Sequence, residues 1–157
     1  MGKRKDFSSK YTDKGNKVED DAIKLAEKVL DLGFMYKNEE HFTNDYLTGT
    51  PDVNTDIILD VKSSWDATTF PFFAEDIPNK DYFYQLQGYM ALTGKRKAYL
   101  CYCLINTPDL MIEDEVRRAH WKEYLIDENE ELRSHVEAQH NFDNIPAERR
   151  IKTFEVR

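Results

Sequence analysis

Asp60 and Lys62 lie two residues apart. An acid and a lysine at this spacing could take part in hydrolysis. Residues 56–62 alternate as a β-strand does, which would place both side chains on one face with Ile58. A carboxylate can bind a divalent cation, and a lysine beside it can position a water molecule or help to deprotonate it. The pair alone is weak evidence, because an isolated Asp and Lys on a strand more often form a cross-strand ion pair.

Two further acidic residues can complete a cation site with this pair. Asp52 lies at a turn just before the strand. Glu19 falls on the apolar stripe of a predicted helix over 18–32, where a carboxylate is costly unless it has a partner or a metal. Clustered carboxylates are the usual way to hold Mg²⁺. We therefore predict that Glu19 and Asp52 converge on Asp60 and Lys62, provided that the helix packs on the sheet.

The elements that must position these residues follow from hydrophobic periodicity. Helical spacing predicts one helix over 18–32, ended by Gly33, and another over 81–93, ended by Gly94. Strands are predicted around 34–36, over 45–53 into a turn, and over 56–62, 98–105 and 150–156. The order indicates an α/β fold of helix, strands, helix and strand.

Three remaining segments lie between or beyond these core elements. Residues 63–80 are too irregular for a helix and too aromatic for an ordinary linker, which is typical of a functional loop. A C-terminal helical segment starts at Thr107-Pro108-Asp109, continues to residue 140 and breaks near Ile126. The terminal strand over 150–156 follows it.

Length and composition indicate one domain. The chain has 157 residues, of which 40% are hydrophobic, and this is enough for one core but not for two. No apolar run approaches the roughly 20 residues that cross a bilayer, and the N-terminus does not look like a signal peptide. We expect a soluble protein inside the cell, with a single domain over residues 1–157.

The cysteines and histidines do not suggest a metal site of their own. Cys101 and Cys103 alternate on a predicted strand and are expected to be small core residues. Two cysteines cannot supply the four thiolates of an iron–sulfur cluster unaided, so no such cluster is expected. The histidines lack a paired metal-ligand motif and are expected at the surface: His41, His120, His135 and His140.

Four ordered elements together resemble the signature of PD-(D/E)XK nucleases. Pro-Asp at 51–52, followed by Asp-Val-Lys at 60–62, resembles the central motif, here PD-x7-DVK, and Gly-x3-Glu at 15–19 resembles the upstream acidic element. Residues 85–94, QLQGYMALTG, resemble the Gln-x3-Tyr helix of RecB-type nucleases. They are still more similar to the Gln-x-Gln…Met…Thr-Gly pattern of lambda-exonuclease-like phage recombinases. The resemblance covers residues 15 to about 105.

This resemblance implies a restriction-endonuclease-like core, with a mixed central sheet, and a metal-dependent deoxyribonuclease. It implies Mg²⁺ or Mn²⁺ bound by Glu19, Asp52, Asp60 and the backbone carbonyl of Val61. Lys62 would be the catalytic lysine, and Gln85 a further residue of the site. The resemblance also points to DNA contacts by aromatic residues, although core packing explains each of them as well: Trp65, Phe70 and Tyr89.

The net charge of −8 is unusual for a protein that binds a polyanion. Residues 1–18 nevertheless carry +4, while residues 105–147 hold eleven acidic against four basic side chains. Residues 1–14 are interpreted either as a basic arm that grips phosphates or as a flexible, solubilising tail. In the first interpretation the DNA-binding residues of the arm would be Lys3, Arg4, Lys5 and Lys10.

Several functions are compatible with these observations. The leading hypothesis is an exonuclease that acts on DNA ends in recombination, repair or phage DNA processing, in the cytoplasm of a bacterium or a phage-infected host. A single-strand annealing or other recombination protein would be its partner; an oligomer is left open, and no membrane contact is expected. The same core also fits a structure-specific or nicking endonuclease.

Two alternative functions are not enzymatic. A catalytically silent nuclease fold could serve as a binding module, but it would have no physical reason to keep buried carboxylates beside a lysine. An acidic interaction protein that does not touch DNA would leave the same constellation unexplained. Lambda-type exonucleases are usually longer than this chain and enclose DNA in a ring, so processivity is not predicted.

Overall fold

A mixed four-stranded sheet organises residues 9–157, the part of the chain that the computed structural model describes. In spatial order its strands are β3 (Val53–Asn54), β4 (Ile58–Ser63), β5 (Ala98–Cys103) and β6 (Ile151–Val156). β4 pairs antiparallel with β3 and parallel with β5, while β5 pairs antiparallel with β6. A separate hairpin is formed by β1 (Phe42–Thr43) and β2 (Thr48–Gly49). The predicted α/β class and mixed sheet are confirmed.

The described residues also form four α-helices, of which α1 and α2 pack on the sheet and α3 and α4 pack on each other: α1 (Lys10–Leu30), α2 (Lys80–Thr93), α3 (Asp109–Lys122) and α4 (Glu130–His140). α2 ends at Gly94, whose φ of 74° lies in the left-handed region that glycine adopts without strain. α3 begins at the predicted position, and the break in the C-terminal helical segment does contain Ile126. α2 and β6 also agree with the predictions.

The start of α1 corrects the sequence analysis. Ser9 caps the helix by accepting a hydrogen bond from the amide of Thr12, so α1 begins eight residues before the predicted residue 18. Residues 10–14, assigned to a flexible arm, are therefore the first turns of a packed helix. The pattern was hidden because Lys14 occupies a buried position where an apolar residue would be expected.

Two apolar clusters, one on each face of the sheet, hold these elements together. The cluster on the α1 side includes Leu59 and Val61 of β4, and the cluster on the α2 side includes Ile58. The alternation predicted for this strand is therefore confirmed. It turns Asp60 and Lys62 away from α1 and towards α2.

The region between α1 and β3 differs most from the predictions. Residues 34–36 form no strand; instead, Met35 is buried and its amide donates to Glu27 Oε2 over 2.7 Å. The strand predicted over 45–53 is replaced by the short strands β2 and β3. Side-chain-to-backbone hydrogen bonds such as this one fix the segment in place of a strand ladder, and periodicity cannot detect them.

Burial confirms the cysteine prediction and corrects the histidine prediction. Cys101 and Cys103 are both fully buried free thiols. His120 is buried, and both of its ring nitrogens have hydrogen-bond partners. Nδ1 lies 2.8 Å from the carbonyl oxygen of Val116, and Nε2 accepts a 2.8 Å hydrogen bond from the amide of Asn129. His140 is buried with Nδ1 2.7 Å from Thr107 Oγ1. In the described part of the chain, no helix is long and apolar enough to cross a membrane.

Candidate active site

A cleft of about 530 Å³ opens where α1, the turn before β3, the end of β4 and α2 meet. The residues that the sequence predicted to share a site all line it: Glu19, Asp52, Asp60, Val61, Lys62 and Gln85. Three chain segments that are distant in sequence therefore contribute to one cavity.

Asp60 forms the floor of this cleft. It is only 2% exposed, because β4 is an inner strand flanked by β3 and β5. Its Oδ2 lies 2.9 Å from Lys62 Nζ, which makes an ion pair. Apart from Lys62, no nitrogen or hydroxyl donor in the described part of the chain bonds this Oδ2. A buried carboxylate oxygen in this condition is uncommon and needs an explanation.

Asp52 faces Asp60 and accepts a 2.9 Å hydrogen bond from the amide of Val61 at its Oδ2. Burial, followed by the negative charge of Asp60, raises the pKa of Asp52 to about 9. Contact with Glu19 raises it further, whereas the Val61 amide opposes the shift. Lys62 offsets only one of the two negative charges that ionised Asp52 and Asp60 would place here, and burial disfavours the second charge, so Asp52 keeps its proton at neutral pH.

Lys62 is held between Asp60 and α2. Its Nζ lies 3.4 Å from Gln85 Oε1 and 4.4 Å from the ring centroid of Tyr82. Burial alone lowers the pKa of Lys62, but Asp60 and the other acidic groups outweigh it and leave the pKa above its ordinary value. The lysine is therefore a fixed positive charge in the ion-free site.

Gln85 owes its orientation to Tyr89. Gln85 Nε2 donates to the Tyr89 hydroxyl over 2.8 Å, which leaves Oε1 turned towards Lys62. Tyr89 is buried on α2 and packs against Gly49, as the packing interpretation of this tyrosine predicted. Tyr89 thus supports Gln85 and also lines the cleft, and its contact with DNA stays a prediction.

Glu19 lies at the outer side of the cleft and is only partly buried. Its Oε2 lies 2.8 Å from Lys37 Nζ. The expected partner of this acidic residue on an apolar stripe is thus a lysine in the ion-free protein. The hydrogen bond and the charge of Glu19 raise the pKa of Lys37. Lys37 could not be identified from the sequence, because it lies in an irregular segment without periodicity.

Aromatic residues of the loop after β4 differ in their exposure. Trp65 lines the cleft, and its ring centroid lies 5.3 Å from that of Tyr11 and 4.9 Å from Lys10 Nζ. Phe70 instead is buried with Leu104, so its predicted DNA contact is wrong because the side chain fills the core. Lys10 also forms a 3.1 Å ion pair with Glu115. The other predicted DNA-binding residues of the arm lie outside the described part of the chain: Lys3, Arg4 and Lys5.

The solved structures found to resemble this chain are exonucleases. A phage-related exonuclease from Haemophilus somnus 129PT superposes with a TM-score of 0.71 and 33% sequence identity, over 95% of this chain and 62% of that one. An alkaline exonuclease from Laribacter hongkongensis, LHK-Exo, gives a TM-score of 0.51 at 17% identity, over 83% of this chain and 73% of that one. Its complex with dAMP gives 0.52 at 17% identity, over 86% and 67%. No protein-family model and no curated protein sequence matches the chain.

The chain has the PD-(D/E)XK fold of the lambda-exonuclease-like nucleases. The resemblance read from the sequence is thereby confirmed. The chain spans about three fifths of the length of the phage-related exonuclease, 62%. The more distant alkaline exonuclease supports the fold alone.

PD-(D/E)XK nucleases are expected to use a divalent cation, and the residues of this site fit one. Within residues 9–157, no three His, Cys, Asp or Glu side chains form a ready-made metal cage, since Glu19 is turned to Lys37. Mg²⁺, however, keeps several water ligands and commonly uses only one or two carboxylates. Asp52 and Asp60 supply that pair, and the buried Oδ2 of Asp60, which contacts only the ammonium group of Lys62 among the donors, is a ligand atom that such an ion could use.

Four residues in or beside the cleft were not identified from the sequence: Tyr11, Lys14, Lys37 and Tyr82. Tyr82 lies within the predicted helix over 81–93, but the helix prediction does not place it beside Lys62. Tyr11 and Lys14 were missed because the first turns of α1 were interpreted as an arm. A capping signal at Ser9 was available in the sequence and would have extended the helix.

Proposed function

We propose that this chain is a metal-dependent nuclease that hydrolyses DNA phosphodiester bonds. The observation that carries the proposal is the pair of facing carboxylates, Asp52 and Asp60, with a lysine 2.9 Å from one of them. A structural ion pair needs one acid and one base. A second buried acid, kept protonated by burial and by the charge of the first, is not explained by such an ion pair and is typical of a functional site.

Asp52, Asp60 and the carbonyl of Val61 would hold Mg²⁺ or Mn²⁺, and Glu19 could join them on leaving Lys37. The ion would neutralise charge on the phosphate and make water a better nucleophile. Lys62 would orient that water and stabilise negative charge as it develops on the phosphate oxygens. Because its pKa is raised, we favour a positioning and electrostatic role for the lysine over that of a free base.

Gln85 would keep the ammonium group of Lys62 in place. It contacts Nζ through Oε1 and is itself anchored by Tyr89. Trp65 and Lys10, on the opposite side of the cleft, offer a stacking surface and a cation to a DNA strand. This arrangement supports nucleic acid as the substrate.

Action on DNA ends is the finer part of the proposal. It is supported by the phage-related exonuclease, with which this chain shares 33% identity. A role in recombination, repair or phage DNA processing in the cytoplasm, beside a single-strand annealing protein, belongs to the same proposal. One domain over residues 1–157 would carry the activity.

The test compares end-labelled linear duplex, covalently closed circular DNA and single strands, each with Mg²⁺, Mn²⁺ or EDTA. We expect linear DNA to be degraded from its ends in Mg²⁺ or Mn²⁺ and every substrate to survive in EDTA. Asp60→Asn should be inactive, whereas Asp56→Asn, an exposed acid on the preceding turn, should cut like the wild type. Nicked circles would favour the endonuclease alternative. Intact DNA in every arm would favour a silent nuclease fold.

A further inference from the structure

Lys14 is a fully buried lysine of α1 that the proposed mechanism does not use. Its Nζ donates 2.9 Å hydrogen bonds to the carbonyl oxygens of Ser64 and Trp65. The same nitrogen lies 5.5 Å from the ring centroid of Phe142. Burial lowers its pKa to about 8, and the charge of Asp66 opposes this shift. A cation this costly to bury is not explained by core filling, which an apolar residue would do better.

The two carbonyl groups that Lys14 binds belong to the chain just after β4. That strand carries Asp60 and Lys62, while Lys14 lies on the helix that carries Glu19. The hydrogen bonds therefore join the two elements that face each other across the cleft. On its other side the end of β4 is already fixed to β5, because the amide of Ser64 donates to Cys103 O over 2.9 Å.

Lys14 has no exposed surface and so cannot touch DNA or a bound ion in this structure. Any influence on cutting must pass through the residues that it holds. We propose that Lys14 is a positioning residue, which fixes α1 against the end of β4 and thereby aligns Glu19 and Trp65 with the Asp60–Lys62 pair. Its effect on cutting rests on the proposed nuclease function. Its effect on the position of Trp65 does not.

The first test is Lys14→Met, which keeps the length of the side chain and removes its donors. We expect kcat per folded molecule to fall on the order of 10²-fold, the size of effect that a misplacement of about 1 Å produces. Lys14→Arg, which restores donors to both carbonyl groups, should recover part of this loss. Lys24→Met removes an exposed lysine from the same helix and should leave kcat unchanged.

The second test needs no cutting. In a Trp121→Phe background, Trp65 is the only tryptophan of the chain. We expect Lys14→Met to make its fluorescence more accessible to acrylamide, and Lys24→Met to have no effect. If Lys14→Met does not fold, Lys14→Gln takes its place in both measurements.

A folded variant with the kcat and the acrylamide quenching of the Lys24→Met control would overturn the inference. A lower melting temperature with unchanged kcat per folded molecule would also overturn it, because Lys14 would then be merely structural. A wild-type protein that cuts no DNA would refute the proposed function, while the fluorescence comparison would still decide whether Lys14 positions Trp65.

Discussion

Asp60 and Lys62 contact each other on β4, yet their replacement should affect metal binding and cutting differently. Asp60→Ala removes a ligand, so we expect Mn²⁺ affinity to fall about tenfold or more. Lys62→Ala should keep most of that affinity and lose cutting by about 10²- to 10⁴-fold, because it removes a group that acts on the reacting water and phosphate. Calorimetric titration of Mn²⁺ into both proteins, with Asp56→Ala as a control, checks this. Equal affinity in wild type and Asp60→Ala would exclude Asp60 as a ligand.

Asp52 should make the ion-free protein less stable as the pH rises. Its pKa is about 9 in the folded chain against an ordinary value near 3.8, so the folded state binds a proton that the unfolded state has released between these limits. The free energy of unfolding then falls with pH across this window, by at most about 1.4 kcal/mol per pH unit. Solvent at the partly open cleft reduces the slope.

Urea unfolding in EDTA from pH 5 to pH 8.5 measures this slope. Asp52→Asn cannot ionise, and its stability should become greater relative to that of the wild type as the pH increases. Saturating Mg²⁺ should flatten the wild-type slope, because a cation replaces the proton. Parallel pH profiles for the two ion-free proteins would mean that Asp52 is ionised without a cation.

Glu19 should matter more for cutting than for stability. Its pair with Lys37 is half exposed on the lysine side, and such pairs contribute about 0–1 kcal/mol. Removing the charge of Glu19 also relieves repulsion with Asp52. We therefore expect Glu19→Gln to melt no lower than wild type in EDTA and to cut poorly in Mg²⁺. Lys37→Met is the matched control: a large stability loss in both variants with normal cutting would make the pair structural.

The sequence predicts the position of a single side chain only where the neighbouring residues form a regular pattern. Asp60 and Lys62 followed from strand alternation, because a strand fixes which side chains share a face. Lys37 has no such neighbours and could be found only in three dimensions. Lys14 could not be recognised as a buried residue, because a lysine in a helical pattern is normally assigned to the solvent-exposed face.

Among the elements, the β1–β2 hairpin and α2 meet at Gly49. A Cβ at this position would lie 2.6 Å from Cε1 of Tyr89, so the tyrosine or the hairpin would have to move. We expect Gly49→Ala to cost about 1–3 kcal/mol, as overpacking does, and to reduce cutting because Tyr89 orients Gln85.

Gly88→Ala, one residue before Tyr89 on α2, is the matched control for this substitution. Nothing lies within 4 Å of the added Cβ, and alanine is favoured over glycine inside a helix by about 0.5–1 kcal/mol. Thermal unfolding and nuclease assays on both variants compare the two effects. A Gly49→Ala protein as stable and active as wild type would mean that the hairpin moves freely over α2.

Periodicity predicted the elements that pack along their whole length and failed where the chain packs by single contacts. α2, β5 and β6 agree with the sequence because each buries a continuous face. The segment between α1 and β3 is instead held by side chains that bond the backbone, such as Asn38 Nδ2 to the carbonyl of Pro51 over 2.9 Å. These contacts depend on the assembled fold and leave no repeating pattern.

At the scale of the whole molecule, a protein of net charge −8 must concentrate its cations to bind DNA. If Lys3, Arg4, Lys5 and Lys10 each contact a phosphate, replacing all four with Ala should lower the slope of log affinity against log salt by about 0.9 for each lost contact. Lys10 already pairs with Glu115, so its single replacement should have the smallest effect.

Binding of the Lys62→Ala protein to duplex DNA in Ca²⁺, over a range of NaCl concentrations, measures this slope. Superimposable slopes with and without the four substitutions would move phosphate binding elsewhere. Lys95, Arg96 and Lys97 after α2, or the loop over 63–80, would then be the next residues to replace.

If a divalent cation binds beside the buried Oδ2 of Asp60, as we propose, the stability of the folded chain will report on that binding. An ion that binds the folded but not the unfolded chain raises the free energy of unfolding by about 2.7 kcal/mol at a hundredfold excess over its Kd. Melting curves can therefore rank Mg²⁺, Mn²⁺ and Ca²⁺ by affinity without any DNA present. Comparing that ranking with the ranking by cutting rate would separate ions that merely occupy the cleft from those that support turnover.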